Sequence, residues 1–152
     1  MNVSVIGLGM MGSQIVLRLT LKGHNVTVFN RDRSKAEKLV ATGTKNLTAA
    51  AQPRDIGDIS DIAIVCVKDY QAVANVSSMT GGLIETTNTD LIVIQCSTIS
   101  PEESNKLADL YSDKQIRLLT VPILGGTTAA ERGEITLVAA GLRALTSLPN
   151  PS

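Results

Sequence analysis

Apolar residues fall along this chain in short blocks that alternate with helically spaced stripes. Val3-Ser4-Val5-Ile6 runs into Gly7-Leu8-Gly9-Met10-Met11-Gly12, after which Met11, Ile15, Val16 and Leu19 recur on one helix face. A turn at Gly23-His24-Asn25 leads into a second strand over 26–29. Ser34 and Glu37 have capping-box spacing and open a helix to about Val40, with Ala36, Leu39 and Val40 inward and Gly43 as its stop. A short strand near 44–47 and a brief helix over 48–52 follow, closed by Pro53 and Gly57. The continuous apolar run of 62–67 reads as a parallel strand covered on both faces. A helix over 70–79 halts at Gly81-Gly82, and a further strand occupies 91–96. Ser100, Pro101 and Glu103 supply the cap, first-turn proline and capping box of a helix whose Leu107, Leu110 and Tyr111 point inward. Strands at 116–121 and 134–140 flank a loop rich in Gly, Thr and Ala.

This alternation predicts a single α/β domain, Rossmann-like and doubly wound, around a mostly parallel sheet. Right-handed crossovers gather the turns after the strands on one carboxyl edge, where ligands bind: residues 7–12, 30–31, 67–68, 97–98 and 123–126. At the first of these, Gly7-x-Gly9-x-x-Gly12 sits between strand and helix, the setting in which such spacing predicts a dinucleotide site. Gly7 is free to take turn dihedrals, Gly9 leaves room for a pyrophosphate, and Gly12 lets the helix lie close on the strand. Leu8, Met10 and Met11 complete that candidate loop, and the helix N-terminus favours phosphate. The competing reading is a glycine-rich turn that binds nothing.

Composition narrows the partners. Fourteen basic and fourteen acidic residues cancel, so no net field draws the chain to nucleic acid or an anionic membrane. Phe29, Tyr70 and Tyr111 are the only aromatic residues, too few for base stacking. No apolar run is long enough to span a bilayer, and strand pattern begins at once, so the expected location is cytoplasmic. Cys66 and Cys96 lie in apolar runs without metal-type spacing and read as buried reduced thiols; no metal set is expected. His24, the single histidine, falls in a turn and is given no role.

The end of the second strand bears on the choice of nucleotide. An acidic residue about 20 positions past the glycines would bind the ribose hydroxyls of NAD. Here Asn30 and then Arg31 stand in that place, 18 residues beyond Gly12 for the first. Asn30 removes the repulsion a carboxylate would exert on a 2′-phosphate, and Arg31 offers a charged fork to it. Arg33 and Lys35 add positive potential, while Asp32 is a contrary charge that a turn can direct to solvent. NADP(H) is therefore expected ahead of NAD(H), against the alternative of a solvated charge run.

In order along the chain, Ile6 to Gly12, Asn30-Arg31 with Lys35, Val67-Lys68-Asp69, Ser97-Thr98-Ile99-Ser100-Pro101 and Val121-Pro122-Ile123-Leu124-Gly125-Gly126 give it a specific likeness. It resembles the β-hydroxyacid dehydrogenase family, which includes 3-hydroxyisobutyrate dehydrogenases and glyoxylate/succinic semialdehyde reductases, over about Asn2 to Gly141. The resemblance implies reversible hydride transfer between a nicotinamide cofactor and a small hydroxy acid or its aldehyde. It places Val67 and Lys68 against the cofactor, Thr98 beside the nicotinamide ribose, and Gly125 and Gly126 at the substrate carboxylate. Leu124 stands where such proteins commonly carry Ser, Gln95 where Asp is common, and Val121 where Ala is; Leu124 opens the way to imines or other non-acidic substrates.

The same resemblance implies that the catalytic lysine belongs to a second, all-helical domain. Residues 1–141 are then the dinucleotide-binding domain and 142–152 an atypical tail, with the helical domain absent and no catalytic residue among those present. The leading expectation is an NADP(H)-binding oxidoreductase domain, incomplete alone, that meets a small-molecule substrate once a helical domain is supplied. A non-catalytic, NADPH-responsive binding module is the reading from another class, and a homo-oligomer is compatible with both.

Overall fold

The computed structural model describes residues 1–124, 132, 136 and 137. Strands β1 (Asn2–Ile6), β2 (Asn25–Phe29), β3 (Leu47–Ala49), β4 (Ile62–Val65), β5 (Ile92–Gln95) and β6 (Arg117–Thr120) form one sheet in the order β3-β2-β1-β4-β5-β6. Every neighbouring pair in it is parallel. The strand order reverses between β1 and β4, and at such a switch point the diverging turns leave a crevice outside the carboxyl ends. Helices α1 (Met10–Leu21), α2 (Arg33–Val40), α3 (Pro53–Ile59), α4 (Tyr70–Ser78) and α5 (Pro101–Ser112) are the crossovers. The expected doubly wound α/β architecture is present. A separate antiparallel pair, β7 (Ile123–Leu124) with β8 (Thr136–Leu137), follows; the remainder of the expected strand at 134–140 lies outside the described residues.

Side chains alternate across the sheet into two cores. Val5, Val26, Val28 and Leu47 pack with Val16 of α1 and Ala36 of α2. On the other face Ile6, Phe29, Ala63, Val65, Leu91 and Val93 meet Ile56 of α3, Val73 and Val76 of α4, and Leu107 and Tyr111 of α5. The run expected to be covered on both faces is closed on one and partly open on the other. Ile62, Ile64, Ile92 and Ile94 remain half-buried where Ala63, Val65 and Val93 are buried. No described helix is long and apolar enough to cross a membrane.

Three local expectations need correction. The cap of α2 is Asp32, whose carboxylate accepts from the Ser34 N–H and hydroxyl, and Ser34 is already inside the helix. The third strand sits at Leu47–Ala49 rather than 44–47, in place of the start of the helix expected over 48–52, because Asn46 takes a left-handed φ of 60° and turns the chain into the sheet only there. Pro53 opens a helix instead of closing one: it occupies the first helical position of α3, where a missing N–H costs nothing. Gly57 lies within that helix, and a Cβ there would press on the Thr86 side chain of the neighbouring turn. The Ser100, Pro101 and Glu103 start of α5 is as the sequence predicts, with both halves of the capping box formed.

One buried polar contact ties α4 to α5. The Ser77 hydroxyl donates to the Val73 carbonyl at 2.8 Å, so the Tyr111 hydroxyl, 2.6 Å away, donates to Ser77. Burial pushes the Tyr111 phenol up to about 12. Tyr111→Phe should lower stability by about 1 kcal/mol, the net worth of one neutral hydrogen bond. Urea unfolding should show a lower midpoint at an unchanged slope; an unchanged midpoint would mean that the contact contributes nothing.

Candidate functional site

The turn after β1 is built by two of its three glycines and left open by the third. Gly7 has a φ of 100°, and a Cβ on it would overlap the Cys66 carbonyl at the end of β4. A Cβ on Gly12 would overlap the Gly7 carbonyl oxygen, which fixes how closely α1 lies on the turn. Gly9 is different. It is exposed, its backbone is extended at φ −71° and ψ −168°, and a Cβ there would meet no heavy atom within 4 Å. Neither packing nor backbone conformation calls for glycine at position 9.

Gly9 is also the N-cap of α1, and that helix start carries no side-chain cap. The first-turn N–H groups, at Met10, Met11 and Gly12, have no partner inside a helix and point off its N-terminus. They form an anion-binding end at the sheet edge with an open approach over Gly9. Leu8 is buried beneath the turn, while Met10 is 76% exposed beside it.

Asn30 cross-links this turn to the one after β2. Its side-chain oxygen accepts from the Leu8 N–H at 2.9 Å, and its amide donates to the Asp32 carbonyl at 3.0 Å. A carboxylate at that position could make the first bond and not the second. Asp32 lies fully in solvent, and its bonds to the Ser34 hydroxyl and N–H hold its carboxyl below the usual range. The contrary charge seen in the sequence is thus engaged with the start of α2.

A groove of about 430 Å³ opens between these turns and α4. Ile6, Gly7, Phe29, Asn30 and Arg31 form one side; Val67 and the α4 residues Ala72, Asn75 and Val76, with Met79, form the other. Its lining is mostly apolar, with Asn30, Arg31 and Asn75 as polar members, a composition suited to a flat heterocycle with a polar edge. Of the residues singled out in the sequence, Gly7, Asn30, Arg31 and Val67 come together here. Lys68 is exposed and 3.7 Å from Asp69, and Thr98 is exposed in the turn after β5. Lys35 is exposed on α2, whereas Arg33 lines a smaller recess of about 130 Å³ beyond Asn30. Leu124 ends β7, and Gly125 and Gly126 lie outside the described residues. Ala72, Asn75, Val76 and Met79 join the site beyond the residues expected from the sequence. Their spacing of three and four along one helix was the available signal.

Cys66 and Cys96 end up just past β4 and β5. Burial pushes the Cys66 thiol up; for Cys96, burial and then the neighbouring Cys66 push it up to about 12. Both stay protonated at neutral pH, which removes them as nucleophiles.

The model of one domain family, the NAD binding domain of 6-phosphogluconate dehydrogenase, matches residues 2–149. The chain belongs to that family. It is 37% identical over 141 residues to the uncharacterized oxidoreductase YfjR of Bacillus subtilis (strain 168), covering 93% of this chain and 48% of that one. It is 30% identical to a protein of Dictyostelium discoideum named probable 3-hydroxyisobutyrate dehydrogenase, mitochondrial, over 92% of this chain and 43% of that one. The solved structure of Psf3 in complex with NADP+ and 2-OPP superposes with a TM-score of 0.82 at 28% identity, over 94% of this chain and 50% of that one. The chain spans about half the length of these relatives. As an NAD-binding domain of this family it binds a nicotinamide dinucleotide, and the open Gly9, the uncapped α1 and the groove are the features that fit one.

This division of labour among the glycines is testable. Gly9→Val should leave the unfolding midpoint nearly unchanged, since its branched side chain enters empty space, and should abolish binding of both NADPH and NADH. Gly12→Ala should destabilise the fold itself. Full nucleotide affinity in a folded Gly9→Val variant would show that the dinucleotide lies elsewhere.

Proposed function

We propose that this chain is the NADP(H)-binding domain of an oxidoreductase that moves a hydride between NADP(H) and a small hydroxy acid or semialdehyde, in the cytoplasm. Gly9 is the observation that carries the binding half of this reading: a glycine that the protein itself does not require, at the mouth of an uncapped helix. The bound cofactor supplies the hydride. Gly9 and the N–H groups of Met10, Met11 and Gly12 take the pyrophosphate, and the part of the groove lined by Phe29, Arg31 and α4 takes the adenine. In this reading Thr98, in the turn after β5, and Lys68, in the turn after β4, lie beside the nicotinamide half.

The preference for NADP(H) rests on Asn30, Arg31 and Arg33. Asn30 is neutral and already committed to Leu8 and Asp32, so it presents no carboxylate to a 2′-phosphate. Arg31 lines the groove and Arg33 the recess, and Asn30 lines both, so two cationic donors are brought near it. Residues 1–141 form the nucleotide domain in this proposal, and Leu124, Gly125 and Gly126 receive the substrate. Leu124 has no hydroxyl to offer an acid there, which favours substrates with an apolar flank, including imines and non-acidic carbonyls.

Titration calorimetry tests the cofactor assignment. Arg31→Ala should weaken NADPH by about 1.5–3 kcal/mol, the worth of a charge-assisted contact, and leave NADH nearly unchanged. An equal loss for both nucleotides would remove Arg31 from the 2′-phosphate site.

A further inference from the structure

Backbone pairing between β4 and β5 runs out at Val65 and Gln95, and the two turns that follow diverge. The last backbone bond joins the Cys96 N–H to the Val65 carbonyl at 2.9 Å. Beyond it the Val67 N–H finds a hydroxyl instead of a carbonyl: it donates to Ser97 Oγ at 3.0 Å. Ser97 is itself gripped from behind. The side chain of Gln95 folds back on it, accepting from the Ser97 N–H through Oε1 and donating from Nε2 to the Ser97 carbonyl at 3.0 Å. Gln95 has no exposed surface and Ser97 almost none.

We propose that Gln95 and Ser97 are positioning residues, a clasp that sets the separation of the turns after β4 and β5 and so aligns the nicotinamide half of the cofactor. The proposal rests on the dinucleotide-binding reading above. A fully buried amide is a costly way to fill a core position, because each of its polar atoms needs a partner. Here one amide takes both backbone groups of the residue next to Thr98, a pairing that an acceptor-only carboxylate cannot make. Its effect passes through the Ser97 backbone to Thr98 and through Ser97 Oγ to Val67, which precedes Lys68 and is the one groove residue the clasp reaches. The other groove walls, from Phe29 to Arg31 and from Ala72 to Met79, make no contact with the clasp among the hydrogen bonds described. The adenosine half therefore keeps its seat when the clasp is cut, and the nicotinamide half does not.

The test compares two ligands on the full chain: NADPH, which spans both turns, and 2′,5′-ADP, which carries only the adenosine half with its 2′-phosphate. Ser97→Ala keeps both Gln95 bonds to the backbone and removes only the link to Val67; Gln95→Met keeps the bulk and removes both backbone bonds. Each should weaken NADPH about five- to tenfold, as expected for a hydrogen bond, and leave 2′,5′-ADP within twofold of wild type. Ser97→Thr, which restores the hydroxyl, should bind both ligands as wild type does. Parallel losses for the two ligands, or no loss for either, would overturn the clasp. A wild-type chain that bound neither ligand would overturn the dinucleotide reading beneath it. Should Gln95→Met fail to fold, the Ser97→Ala and Ser97→Thr pair decides the matter by itself.

Discussion

Helix α1 begins so close to the turn after β1 that no side chain fits between them. A Cβ on Gly12 would overlap the Gly7 carbonyl, and one on Gly7 would overlap the Cys66 carbonyl. These two contacts lock β1, α1 and the end of β4 together at the point where the strand order reverses. Everything else at the edge takes its place from that lock. The N-terminus of α1 is left uncapped, Gly9 stands clear, and Gly7 and Val67 both line the groove toward α4. Gly7 and Gly12 are therefore structural residues that create a binding feature, while Gly9 is free of structural duty.

Two neutral amides then tie the surrounding turns to this frame. Asn30 joins the turns after β1 and β2, and Gln95 braces the turn after β5, from which Ser97 reaches the turn after β4. Each amide donates and accepts at once, so each can hold two backbone groups that a carboxylate could not hold together. An edge that receives a polyanion also gains from crosslinks without negative charge. Rigidity and electrostatic compatibility come from the same side-chain chemistry at both positions.

Much of this was legible in the residue order. Strand-to-helix alternation, the glycine spacing and the capping box of α5 gave the sheet, its carboxyl edge and the first turn, because each depends on neighbours in sequence. The structure departs from these expectations where local signals are ambiguous. Pro53 signals a helix start as well as a stop, and the extended backbone of Gln52 before it makes it the start. Asp32 and Ser34 are both good caps, and the backbone chose the earlier one. The α4 wall of the groove and the roles of Asn30 and Gln95 were not visible as such. Asn30 reaches back 22 residues to Leu8, and the bond from Val67 to Ser97 spans 30, contacts that exist only once β1, β2, β4 and β5 are side by side.

The most direct check is an amide NMR titration of the full chain with NADP+, because it reports where the ligand sits without assuming a residue. The account predicts shifts at Leu8, Gly9, Met10, Met11 and Gly12, at the Asn30 side-chain amide, and along Val67, Asn75 and Val76. A second groove of about 700 Å³, lined by Ser104, Asp109, Gln115 and Thr120 between α5 and β6, supplies the contrast. Shifts confined to that groove, with Gly9 and its neighbours silent, would contradict the claim that the open helix end after β1 is the dinucleotide site.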